Sequence, residues 1–134
     1  MKREIKFRAK NDSNEWVFGN LIMDNCDLEY GIITHNYYGD ETLRDIIIPV
    51  KKETICQFVR KNEKGIDIYE NDVVKTPFQC MNSSHRICVV SWENHCSEFL
   101  LFETNGMTHH IFPECELLGN IFDNVEFVDF QTIA

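Results

Sequence analysis

Apolar and polar residues alternate strictly over Arg3–Ala9, with Ile5, Phe7 and Ala9 on one side of an extended chain and Glu4, Lys6 and Arg8 on the other. A period of two is the pattern of a half-buried strand. Lys10–Asn14 is turn-forming and Trp16–Met23 reads as the returning strand, so residues 3–23 are predicted to form one hairpin. Gly19 inside the second strand marks a bulge or a close backbone approach. Leu28–Thr34 and Arg44–Val50 are two further β-branched-rich runs, separated by the loop His35-Asn36-Tyr37-Tyr38-Gly39-Asp40. Pro49 lacks the N–H that a ladder needs and restricts its strand to an edge or an end.

The character of the chain shifts over residues 51–65, where paired Lys51-Lys52 and the polar turn Lys61-Asn62-Glu63-Lys64-Gly65 flank the apolar run Thr54–Val59. A boundary near residue 52 is expected. From Ile66 onward short strands recur at roughly ten-residue spacing, as in a small barrel or sandwich: Ile66–Tyr69, Asp72–Thr76, Arg86–Trp92, Phe99–Glu103, Thr108–Phe112 and Leu117–Phe122. No segment holds a helical period. Asp123-Asn124 ahead of Val125-Glu126-Phe127 predicts at most one capped helical turn. The predicted class is mainly β.

With 134 residues, 43% hydrophobic and 12% aromatic, the chain has enough apolar material for a core without staples. Its N-terminus lacks a signal peptide's apolar block, and no stretch approaches the roughly 20 apolar residues of a membrane helix. A cytoplasmic protein with no membrane partner is expected. The net charge of −9 is laid out unevenly: residues 1–10 hold five bases and one acid, residues 87–134 eight acids and no Lys or Arg. Such a field opposes phosphate binding, so direct nucleic-acid binding is not expected.

Cys26, Cys56, Cys80, Cys88, Cys96 and Cys115 are expected to be reduced and to act as small core residues. Zinc ligands usually come in short pairs, and no two of these cysteines lie closer than the eight-residue steps from Cys80 to Cys88 to Cys96. The best available tetrad, Cys80, His85, Cys88 and His95, matches no standard spacing, and neither metal nor cofactor is expected. His95-Cys96 and His109-His110 are adjacent pairs whose members point apart on a strand, which argues against catalytic or metal-binding couples. Glu114 and Glu116 read as solvent-side neighbours of core-facing Cys115 and Leu117. No glycine-rich phosphate loop is present, and no residue is assigned as catalytic. Of the aromatic residues, Trp16, Phe18, Tyr69 and Trp92 read as core; Tyr37 and Tyr38, at a loop tip, read as contact residues.

Several segments together resemble the YopX family of small phage and prophage proteins. They are Met1-Lys2-Arg3-Glu4-Ile5-Lys6-Phe7-Arg8-Ala9, Val17-Phe18-Gly19-Asn20-Leu21, Glu53-Thr54-Ile55-Cys56-Gln57-Phe58, Ile68-Tyr69-Glu70-Asn71-Asp72-Val73-Val74 and Leu118-Gly119-Asn120-Ile121-Phe122-Asp123-Asn124. They span nearly the whole chain in the family's order. Three positions depart from the pattern. Val59-Arg60-Lys61 stands where relatives commonly have Thr-Gly-Leu, Asn71 replaces a usual glycine, and Val125 stands where a proline is frequent. The resemblance implies an N-terminal β-rich segment over residues 1–52 followed by an SH3-like β-barrel over residues 53–134, and it carries over no catalytic residues.

By elimination among site chemistries the expected function is that of a protein-binding or assembly module, and the resemblance implies that it is prophage-derived. An acidic mimic of nucleic acid, inhibiting a DNA-binding protein, is the alternative, and a small metalloenzyme built on the tetrad ranks third. A homo-oligomer is also expected, in which the basic N-terminal hairpin of one copy lies against the acidic C-terminal half of another. Ile5, Phe7, Trp16 and Phe18 are expected to form its apolar contact face, so Phe7 and Trp16 join Tyr37 and Tyr38 as candidate contact residues.

Overall fold

The first hairpin is closed by asparagines. In the computed structural model, which describes residues 4–24, 29–37, 43–76, 86–103 and 107–124, β1 (Phe7–Lys10) pairs antiparallel with β2 (Trp16–Asp24). Asn11 Oδ1 accepts from the backbone N–H groups of Ser13 and Glu15, both at 2.9 Å, and Asn14 takes the left-handed conformation at φ 61°. Those two features turn the chain without help from glycine. β3 (Glu29–Tyr37) pairs with β2 and β4 (Leu43–Val50) with β3. His35, Asn36 and Tyr37 therefore continue a strand instead of forming the expected loop, and Tyr38 lies outside the described residues.

The chain divides into two units, residues 1–58 and 59–134. In the first, the strand order is β4-β3-β2-β1-β5, where β5 is Cys56–Lys61. β4 ends the row, so Pro49 sits on an edge strand. A short 3₁₀ turn, Lys52–Thr54, precedes β5, and Thr54 Oγ1 donates to Lys51 O at 2.7 Å while accepting from Lys10 N at 2.8 Å. Cross-strand register places Phe7, Ala9, Val17, Leu21, Ile32, Ile48 and Val50 on one face, where Ala9, Val17 and Ile32 form the core cluster.

That register corrects two expectations. Ile5 precedes the strand and is 61% exposed, whereas Arg8, assigned to the solvent side, is buried at 7%. The cause is the place of β1 inside the sheet, flanked by β2 and β5, where the Arg8 guanidinium lies 4.4 Å from the Trp16 ring centroid. Moreover, Phe7 pairs with Gly19 and Lys10 with Trp16, so Phe7 and Trp16 lie on opposite faces. The single apolar face of Ile5, Phe7, Trp16 and Phe18 does not exist.

In the second unit, β5 continues past Phe58 and a turn leads to β6 (Asp67–Tyr69). A tight turn with Asn71 at φ 69° follows, and the Asp72 carboxylate accepts from Tyr69 N at 2.7 Å. Asparagine there fills the left-handed position that glycine would otherwise take. β7 (Asp72–Thr76), β8 (Arg86–Glu93), β9 (Glu98–Phe102), β10 (Thr108–His109) and β11 (Glu116–Asn120) form an antiparallel sheet in the order β10-β9-β8-β7-β11. It is buried on both sides. Val74, Cys88, Val90 and Leu101 pack with Ile68 and Cys115, and Val89, Leu100 and Phe102 form a second cluster.

β10 is shorter than its alternation predicted, because the chain turns through Pro113 and Glu114 instead of staying extended. The C-terminal turn is set by Asn120, not by Asp123. Asn120 Oδ1 accepts from Phe122 N and Asp123 N, both at 2.9 Å, and residues 125–127 lie outside the described residues. Among the described residues the protein is mainly β, in two antiparallel sheets. No helix there is long and apolar enough to cross a membrane.

Candidate functional site

Cations recur in a row along β1 and the residue before it. Arg8 and Lys10 share one face by the two-residue period, the register sets Phe18 and Trp16 of β2 beside them, and the carbonyl of Lys6, just ahead of the strand, accepts from Phe58 N at 2.9 Å. Each cation meets a ring. Lys6 Nζ lies 4.5 Å from the Phe58 centroid, the Arg8 guanidinium 4.4 Å and Lys10 Nζ 5.2 Å from the Trp16 centroid. Such contacts contribute about 0.5–2 kcal/mol each, most where the cation is desolvated, as at Arg8. Lys6 Nζ also pairs with the Glu4 carboxylate at 3.2 Å.

Further along the same face, apolar side chains are left in the open. Phe18 is 53%, Ile22 38% and Ile47 58% exposed. Ile22, Gly31, Ile47 and Pro49 line a shallow groove of about 390 Å³ beside the β4 edge, together with Met23, Glu29 and Tyr30. Gly31 sets its floor, because a Cβ there would lie 2.8 Å from Ile47 Cγ2. Cations stacked on aromatics, continuous with uncovered isoleucine and phenylalanine, make a surface suited to protein contact.

Of the candidate contact residues, Phe7 is half-buried against the core of the first unit. Trp16 is half-buried under Arg8 and Lys10. Tyr37 ends β3, its side chain and all of Tyr38 lying outside the described residues. Phe18 was read as core and is instead the most exposed ring of the face. Trp16–Met23 is apolar at nearly every position, which hides which parity faces the core. Trp92 was likewise read as core and is 43% exposed, edge-on to Phe99 at 5.1 Å.

The second unit shows how the chemistry-bearing residues are distributed. Cys88 is fully buried on β8 and His95 sits in the exposed turn between β8 and β9, while Cys80 and His85 lie outside the described residues. Among the described residues no group of His, Cys, Asp and Glu is arranged to hold a metal. His95-Cys96 occupies that turn and not a strand; the His95 N–H groups of backbone and ring both reach Glu93 Oε1, which holds the Glu93 carboxyl below its ordinary range. A pairing that the pattern concealed joins His109 Nε2 to the Glu103 carboxylate at 2.5 Å across β9 and β10, with Glu103 buried at 6%. Glu114 and Glu116 are exposed beside buried Cys115, and with Glu63 they rim a cleft of about 280 Å³ walled by Ile66 and Leu117.

The thiols divide in the same way. Cys56, Cys88 and Cys115 are buried, and Cys96, expected in the core, is exposed because the β8–β9 turn carries it out. Desolvation and a hydrogen bond to Glu98 push the Cys96 thiol above its ordinary range, and burial does so for Cys115. Pulse alkylation read by peptide mass should therefore modify Cys96 well before Cys56, Cys88 and Cys115, with a rate still climbing above pH 9, since the thiolate is the nucleophile. Equal rates at Cys96 and Cys115 would contradict the fold. No protein-family model matches the chain, and neither a curated protein nor a solved structure matches it.

Proposed function

We propose that the protein is a cytoplasmic protein-binding or assembly module of a phage or prophage, in keeping with its resemblance to the YopX family, and that the cation–aromatic face of the first sheet is its contact surface. The observation that carries this is the continuity of Arg8, Lys10 and Trp16 with exposed Phe18, Ile22 and Ile47 on one side of the sheet. Arginine and tryptophan with open apolar side chains are what protein interfaces concentrate. Nucleic acid is the weaker match, since Arg8 is buried behind a ring and Lys6 already has the Glu4 carboxylate. The second unit is the supporting module, an SH3-like barrel in this reading. Its strand order supports that, with the last strand β11 lying beside β7, the first of a β7-β8-β9-β10 meander.

A photo-reactive amino acid placed at position 18 or 47 should form discrete protein adducts in expressing cells, identified by mass and diminished by Lys10→Glu. The same group at Ser13, in the exposed turn of the hairpin, should form few. Adducts no more abundant at positions 18 and 47 than at 13 would remove the contact surface.

A further inference from the structure

We draw no further inference here: the strongest candidate, the apolar groove of the first sheet that Ile22, Gly31, Ile47 and Pro49 line beside the β4 edge, belongs to the contact surface already proposed, and nothing in the structure shows what covers it.

Discussion

Replacing Asn62 by alanine should lower the stability of the second unit by about 1.5–4.5 kcal/mol, the sum of three ordinary hydrogen bonds at roughly 0.5–1.5 kcal/mol each. Asn62 is 7% exposed, and its amide is used on both ends. Oδ1 accepts from Lys64 N at 2.9 Å and Ile66 N at 3.0 Å, closing the β5–β6 turn, while Nδ2 donates to Cys115 O at 3.1 Å. The neighbouring Glu63 N donates to Pro113 O at 2.6 Å, so one side chain fixes both the turn and the segment that enters β11. Urea unfolding followed by Trp92 fluorescence reads the loss. Asn62→Asp makes the argument sharper. It keeps the acceptor for the two turn N–H groups but turns a second oxygen towards the Cys115 carbonyl, so it should remain clearly destabilised. A loss below about 0.5 kcal/mol for either variant, the size of an ordinary surface substitution, would mean that the amide is not a staple.

The sequence showed Asn62 only as one polar residue in a polar turn. Its importance comes from Cys115, 53 positions away, and a local pattern carries no information about a bond of that span. Strand positions were more legible. Asp72–Thr76 is a strand with the same bounds in both readings, because Val73, Val74 and flanking turn residues mark it locally. The hairpin expected over residues 3–23 forms for the same reason from Phe7 onward, while residues 4–6 precede the strand.

Facing was harder to read. Alternation assigned Arg8 to solvent, and would have been right on an edge strand, but β1 lies between β2 and β5 and a planar guanidinium can be buried against an indole. The contact face therefore became visible only through the β1–β2 register. Once Lys10 pairs with Trp16 and Arg8 with Phe18, the cations and rings that looked scattered along the chain fall on one side. Phe7, by the same register, falls on the other. The Glu103–His109 pair was hidden because it depends on where β9 ends and β10 begins, which no periodicity fixes.

Gly19→Ala should be the most damaging single change in the first unit, about 2–6 kcal/mol, combining overpacking at roughly 1–3 with backbone strain at roughly 1–3 kcal/mol. Gly19 has φ 156°, and a Cβ built there runs into the Ile33 carbonyl oxygen, 3.0 Å from Ile32 Cγ2 and 3.2 Å from Ile33 C. The obstacle is backbone of the neighbouring strand, which cannot rotate away as a side-chain tip would. Relief requires either a change of φ at Gly19, which disturbs the Phe7–Gly19 pairing, or withdrawal of β3, which opens the cover of Ile32 in the core. Gly65 separates the two causes. It also holds a positive φ, 79°, yet nothing lies within 4 Å of a Cβ there, so Gly65→Ala carries strain without overlap. That variant should lose about 1–2 kcal/mol, the cost of one left-handed alanine. Thermal melts of both, followed through Trp16 and Trp92, should show Gly19→Ala falling further than Gly65→Ala, with its loss visible in the Trp16 signal. Equal losses would mean that β3 does not approach β2 closely at Gly19, and the register that assembles the contact face would fall with it.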